Sequence, residues 1–536
     1  MKLLRPGWSI TLTTIFYVLL ASIRCTSSFF PSTCTPAFAV SALHMSMSAS
    51  TTSRSTSPST TKAKMQRLVL VGGGHGHVQV IKALNRLARP SSVSVTLIDP
   101  QDSASYSGMV PGCVSKLYTP EQTLIHLRPL ADWAGIDYIK SSVVDIDPDQ
   151  RKLYLDDGGD DTNQETVEYD CVSFDIGSAT RGLDETPGAA QRTIPTRPIS
   201  DLVRRIAAEE EILKSKLDAG EWTKGGAHVV VVGGGAAGIE LSLAMRARWN
   251  HLFEGSGDNL KVTLLDSGDE LLPAETLACR QALREVLSER DIFVKHGATV
   301  KSVESDEIIL ENGETLPYSH CIWATGANSH PLADKLRDRG IAISDRGWIR
   351  VGPTLQSVSH RSIFAAGDCC TIEGLPGGGP SPPKAGVYAV RSGPVLIENL
   401  TGFLEGKPDE SLTRYNPQSD FLKLLMAGDG TALGFRFGLP LRGKWVWELK
   451  DTIDQTFMDL FKAENLPALD ESKGEDLDTS QYDASDINKP SLEPREAAEL
   501  LLRTDDDVDY QKAWCVLRSM MKDEEYKQSV LSSVKV

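Results

Sequence analysis

The polarity pattern changes period several times along the chain, and two stretches repeat one another. Residues 66–71 (Q-R-L-V-L-V) form a short apolar run that enters the glycine turn Gly72-Gly73-Gly74. Apolar positions then recur at helical spacing, at Val78, Ile81, Leu84 and Leu87. A second apolar run, Val93–Ile98, stops at Asp99. This order predicts strand, glycine turn, helix and strand, one β-α-β unit closed by an acid. Residues 228–232 open a second unit on the same plan. Its turn, Gly233-Gly234-Gly235-Ala236-Ala237-Gly238, fits G-x-G-x-x-G fully. A helix follows to about Arg248, and the strand 261–265 ends at Asp266.

Each unit has a specific physical use. Glycines let the backbone approach a pyrophosphate, the helix start offers N–H groups and partial positive charge, and the terminal acid accepts from a ribose hydroxyl. One such motif is a weak signal, but two complete copies are a strong one. The first copy departs from the fingerprint, because His77 stands where the third glycine packs the helix onto the strand. Local widening of that turn is expected. His75 and His77 have H-x-H spacing, but no nearby acid or cysteine completes a ligand set, so no metal site is expected.

Composition and charge narrow the class. Of 536 residues, 40% are hydrophobic and 24% charged, which is globular material. The formal net charge of −16 argues against a nucleic-acid binder, which needs a basic face. The N-terminus is unlike the rest, with no acid before Asp99. Lys2 and Arg5 precede an apolar stretch, 8–23, in the order of a secretory signal peptide; a membrane span is the rival reading. A segment rich in Ser and Thr, 26–61, follows, with the composition of a transit peptide. The two in series, with Phe29 and Phe30 near the junction, resemble the bipartite presequences of algae with secondary plastids. Residues 1–65 are therefore read as a targeting presequence for a plastid, with mitochondrion or endomembrane as alternatives.

The chain beyond that presequence resembles the two-dinucleotide-binding flavoproteins of the pyridine nucleotide-disulfide oxidoreductase superfamily. Gly177-Ser178 in F-D-I-G-S is similar to the end of the first FAD segment, and Ala324-Thr325-Gly326 to the closing A-T-G of the NAD domain. Ile363-Phe364-Ala365-Ala366-Gly367-Asp368 looks like the second FAD motif, whose Asp holds the ribityl chain. The resemblance spans about 66–462. Tyr106-Ser107-Gly108-Met109-Val110-Pro111-Gly112, the G-G-G-H-G-H turn and Pro383-Lys384-Ala385-Gly386-Val387 are similar to one subfamily. It holds the NADH dehydrogenase-like flavoproteins found in bacteria fused to or beside selenophosphate synthetase. Type II NADH:quinone and sulfide:quinone oxidoreductases are its broader relatives.

The resemblance implies an α/β fold: two Rossmann-like dinucleotide-binding domains, the NAD domain inserted in the FAD domain, plus a C-terminal α+β interface domain. The implied boundaries are 66–190 and 328–398 for FAD, 191–327 for NAD(P), and 399–462 for the interface or membrane-docking domain. An acidic linker (463–493) and a helical appendage (494–536) follow. FAD and NADH are the implied cofactors. Gly72, Gly74, Asp99, Gly177 and Asp368 would serve FAD; Gly233, Gly235, Gly238, Asp266 and Gly326 would serve NADH. An acid at Asp266 repels a 2′-phosphate and so disfavours NADPH, although Arg280 and its basic neighbours could serve one.

Two residues carry candidate chemistry. Glu240 lies on the first turn after the second glycine motif, where the resemblance places it near nicotinamide and flavin; pairing with the helix macrodipole is the plain alternative. Lys384 precedes a helical stretch and would set a cation beside the flavin, where negative charge develops. Its K-x-G context resembles the sulfide:quinone group. The A-Q-x-A-x-Q quinone motif of type II NADH dehydrogenases reads Ala385-Gly386-Val387-Tyr388-Ala389-Val390 here, without either glutamine.

The first expectation is an FAD-dependent NAD(P)H dehydrogenase passing electrons to a quinone or another small acceptor. The second is a sulfide- or selenide-oxidising flavoprotein, which would need thiols such as Cys171 with Cys369 or Cys370. The third is a non-catalytic NADH/FAD redox sensor acting through the tail 463–536. The stripe Leu449, Ile453, Phe457, Leu460 and Phe461, after Trp445-Val446-Trp447, suits a membrane surface, a homodimer interface or plain core.

Overall fold

The computed structural model describes residues 65–156, 165–219, 226–253, 260–418 and 421–469. The expected presequence apart from Met65, the linker from 470 on and the appendage lie outside the described residues.

Gln66–Val71 is the middle strand of a five-stranded parallel sheet. The order is Ile363–Ala365, Cys171–Phe174, Gln66–Val71, Val93–Ile98, Asp137–Ile139. A central parallel strand is covered on both faces, which is why Leu68 to Val71 form an unbroken apolar run and are all buried. Parallel neighbours require a crossover, supplied by the helix His75–Ala83.

The second sheet repeats this order: Ile194–Pro195, His320–Trp323, Ala227–Val232, Leu260–Leu265, Ile292–Lys295, again all parallel. Each domain also inserts a three-stranded antiparallel meander before the chain returns to its sheet. The meanders are Val143–Asp147, Lys152–Leu155, Thr166–Glu168 and Val300–Val303, Glu307–Leu310, Thr315–Pro317. A short antiparallel pair, Ala179–Thr180 with Ala327–Asn328, sets the entry and exit of the inserted domain side by side. The fold class is thus the α/β one expected.

The C-terminal unit is a three-stranded antiparallel sheet, Lys423–Met426, Ala432–Arg436 and Leu439–Gly443, followed by the helix Lys444–Asp459. It bridges both dinucleotide domains. Lys423 pairs with Glu275 and Arg290 with Asp429 on the side of the second sheet. On the side of the first sheet, Tyr118 donates to Asp451 at 2.8 Å, and Tyr106 stacks on Phe457 with centroids 4.9 Å apart. The helix Gly386–Leu404 runs across the boundary expected at 398.

The aromatic stripe is used inside the chain. Trp445, Val446, Leu449, Phe457 and Phe461 are all buried, and Phe457 and Phe461 join the core around the first sheet. Of the three uses open to it, core is the one observed for these five residues, while Trp447, Ile453 and Leu460 are half-buried. Among the described residues, no helix is long and apolar enough to cross a membrane.

Candidate active site

The first glycine turn is built for close approach. Gly72 has φ +89°, and a Cβ there would lie 2.4 Å from the Asp175 carbonyl oxygen. Asp99 closes the unit: its Oδ2 accepts from Gly73 N at 2.6 Å and its Oδ1 from Gln101 N at 2.7 Å. Burial raises its carboxyl while these two amides pull it back. His77, at the third-glycine position, is fully buried. Its Nδ1 lies 2.6 Å from the Gly72 carbonyl and its Nε2 2.8 Å from Ser173 Oγ. The space expected from the missing glycine therefore holds a ring that ties the turn to the next strand. Burial pushes that imidazole down to about 4, so it is neutral, and both its nitrogens are engaged.

The second turn takes the strict form. Gly233 has φ +120°, and a Cβ on Gly238 would stand 1.9 Å from the Gly233 carbonyl oxygen. Gly235 has no described atom within 4 Å of where a Cβ would be, so its outer face is open. Gly326, at φ +102°, ends the A-T-G segment beside it. Asp266 is buried next to His296, whose Nδ1 is 3.1 Å away. Arg280 and Arg284, the cations available for a 2′-phosphate, are both bound to Glu270. The change Asp266→Ser should therefore raise the NADPH/NADH ratio of kcat/KM, roughly tenfold, by removing like-charge repulsion of about 1.4 kcal/mol. Steady-state rates with both nucleotides would check this, and an unchanged ratio would refute it.

Gly177, at φ +68°, also has no described atom within 4 Å of a Cβ. Asp368 accepts from Ser178 Oγ at 3.2 Å and pairs with Arg197 at 3.4 Å. Arg197 carries no motif, and sequence reasoning missed it. Lys384 and Asp368 line one cavity with Cys370, Ser381, Tyr388 and Tyr415. Lys384 Nζ is held by the Cys370 carbonyl and lies 4.5 Å above the Trp348 ring.

Glu240 lies elsewhere in the arrangement. It sits on the helix Ala236–Phe253 and accepts from Met426 N, in the C-terminal sheet, at 2.9 Å. Burial pushes its carboxyl up to about 7, opposed by the charge of Lys450. Lys450 in turn donates to Asp454 at 2.6 Å and to the Gly108 carbonyl at 2.8 Å. The structure thus brings Glu240 to the junction of all three units. Lys450 and Asp454 carry no motif in the sequence.

A model of the pyridine nucleotide-disulphide oxidoreductases matches residues 66–393, most of the described chain. The chain belongs to this family. Among curated relatives of this oxidoreductase, the demethylphylloquinone reductase NdbB of Synechocystis is 25% identical over 389 residues, covering 70% of this chain and 88% of that protein. A type II NADH:quinone oxidoreductase of Haemophilus influenzae is 23% identical, covering 71% and 90%. Among solved structures, NDH2 of Plasmodium falciparum with NADH aligns at TM-score 0.64 and 15% identity, over 76% of this chain and 100% of that one. The sulfide:quinone oxidoreductase of Aquifex aeolicus aligns at 0.60 and 17%, over 76% and 94%. These two likenesses are of fold.

The family name invokes disulphides, but the described thiols of this oxidoreductase are all free and buried. Cys171 opens the strand Cys171–Phe174, while Cys369 Sγ donates to the Phe174 carbonyl at the far end. Three residues of strand separate those ends by about 10 Å. A disulfide needs Cα atoms within about 7 Å, so this pair cannot close as placed. Cys370 Sγ points to the Gly367 carbonyl at 3.5 Å, and burial pushes its thiol up to about 12. Cys113 is also raised by burial. Thiols held so far up are poor nucleophiles at neutral pH.

Proposed function

We propose that the chain is an FAD-dependent NAD(P)H oxidoreductase that takes a hydride from NADH and passes electrons to a quinone. The observation that carries this reading is the duplicated Rossmann unit with both glycine turns and both terminal acids in place. The residues fit two dinucleotides. Gly72 and Gly233 allow the backbone to close in, while Gly177 and Gly235 have open faces that a Cβ would intrude upon. Bound FAD supplies a carrier that accepts a hydride and releases electrons to a second substrate. The protein supplies position and charge. Asp99 and Asp266 accept from ribose hydroxyls, and Asp368, steadied by Ser178 and Arg197, holds the ribityl chain. Lys384 and the start of the helix Gly386–Leu404 set positive charge beside the cofactor. Glu240, with a carboxyl near 7, holds or yields a proton at Oε where the three units meet. Its dependence on Met426 and Lys450 makes it an orienting group for the nicotinamide side.

Quinone as acceptor is supported by the named activities of the two relatives above, each covered over most of its length. The missing glutamines of A-Q-x-A-x-Q imply that this chain would line the acceptor site with other side chains. Sulfide or selenide oxidation is disfavoured by the separated, buried cysteines. A plastid location rests on the order of charge, apolar stretch and Ser/Thr-rich segment in residues 1–65.

Anaerobic mixing of the flavin-loaded protein with NADH or NADPH, followed through flavin absorbance, tests the reading. Fast bleaching by NADH and reoxidation by added quinone are expected. Bleaching by sulfide but by neither nucleotide would sink it.

A further inference from the structure

The two glycine turns are internal controls for one another, and they differ in the strand that returns beside each as well as at His77. The strands Cys171–Phe174 and His320–Trp323 return beside their turns in the same way. Asp175 N donates to the Val71 carbonyl as Ala324 N does to the Val232 carbonyl. A Cβ on Gly72 would strike the carbonyl of Asp175, and one on Gly233 that of Ala324. Asp175 therefore stands where the second turn has a methyl group. Its side chain reaches into the turn, where Oδ2 accepts from Gly76 N at 2.8 Å and from His77 N at 3.3 Å. These are the first amides of the helix His75–Ala83, the groups that a dinucleotide turn offers to pyrophosphate. The carboxyl also touches the second FAD motif, since a Cβ on Gly367 would stand 2.4 Å from Oδ1.

The residue is 4% exposed. Asp99 faces it from the end of Val93–Ile98 and Asp368 from the second FAD motif; both repel its negative form. From the helix, His77 and His75 are imidazoles that burial keeps neutral. Cys369 and Cys370 face it as buried thiols, with Lys384 behind them. Among the described residues, no Lys, Arg or His forms an ion pair with Asp175. Burial and these acids push its carboxyl up to about 7. A pyrophosphate would bring further negative charge to the same amides.

We propose that Asp175 couples FAD binding to a proton: the site receives the pyrophosphate with the Asp175 carboxyl protonated, drawing that proton from solvent when the free site is ionised. This rests on the reading of the first turn as the FAD site. A protonated carboxyl keeps its carbonyl oxygen for the two amides and gains an O–H that can donate to a phosphate oxygen. Binding then favours the protonated form. FAD affinity is full below the free-state value and falls as pH rises past about 7, by up to tenfold per pH unit.

The test uses the full chain stripped of flavin and titrated with FAD by fluorescence quenching from pH 5.5 to 9. Calorimetry at pH 8, in buffers of different ionisation enthalpy, counts protons. The wild type should weaken above pH 7 and take up close to one proton per FAD. Asp175→Asn, and Asp175→Ala in imitation of Ala324, should bind with a flat profile between pH 7 and 9 and take up none. Tight binding by the wild type with no proton uptake overturns the proposal alone, whatever the variants do. Variants as pH-dependent as the wild type would also overturn it. A chain that binds no FAD at any pH would overturn the FAD reading itself.

Discussion

Replacing Gly238 by alanine is expected to slow reduction of the bound flavin by NADH on the order of 10²-fold while leaving FAD in place. The added Cβ would stand 1.9 Å from the Gly233 carbonyl oxygen and 3.1 Å from its carbonyl carbon, both backbone atoms. Neither can rotate away, so the start of the helix Ala236–Phe253 must move outward by about 1 Å or more. That helix start carries the amides proposed to receive the NADH pyrophosphate, and also Glu240. A misplacement of this size is commonly worth on the order of 10²-fold in rate. The first turn tolerates His77 only because the ring bonds Gly72 and Ser173, while Asp175 receives the displaced amides. The second turn has no such supports. Flavin content of the purified variant and its bleaching rate with NADH would check this; bleaching within threefold of wild type would show the turn to be more tolerant than its geometry allows.

The change Lys450→Met is expected to be the most destabilising single substitution in the C-terminal unit. Lys450 and Asp454 form a buried pair, with side chains 7% and 6% exposed. Removing the ammonium leaves the Asp454 carboxylate buried beside Asp451 and the hydroxyl of Tyr106. Breaking a buried pair in this way costs about 3–5 kcal/mol. Burial already raises Asp454, and losing Lys450 raises it further. A carboxyl raised in the folded state binds a proton that the unfolded chain has released. The penalty is therefore smallest in acid and grows as pH rises through the folded value. Glu240 shifts in the same direction, because it loses the same cation. Urea unfolding at pH 5.5 and 8.5 would measure it. A loss equal at both pH values would mean that Asp454 had found another partner.

Local patterns made much of the scaffold legible. The strand Gln66–Val71 is apolar on both faces from Leu68 on and announces itself as an unbroken run, and Val93–Ile98 as an alternation that ends in Leu97-Ile98; the glycine turns announce themselves because φ near +90° or +120° favours glycine there. Asp99 and Asp266 follow from their place at strand ends. The meanders were not legible. Their strands are three to five residues long and carry mixed polar faces, such as Thr166–Glu168 and Thr315–Pro317, which give little period to read. The C-terminal stripe was legible as apolar but not as to what covers it. A helix that docks on its own chain and one that docks on a membrane show the same spacing.

The remaining site residues became visible only in three dimensions, because their partners are remote in sequence. Arg197 meets Asp368 across the domain connection. Arg248 and Glu210 form a buried pair that reaches the Val114 carbonyl and fastens the NAD domain to the FAD domain. Glu240 has its carboxyl raised by burial, and it is Met426 and Lys450, about two hundred residues on, that pull it back. Asp175, unremarked within F-D-I-G-S, becomes significant only when the returning strand sets it against Gly76 and His77. Backbone conformation and strand order come from short-range sterics and burial, so local sequence specifies them. Charge states and side-chain partnerships depend on low dielectric and on which distant groups share it, and only the folded chain brings those groups together.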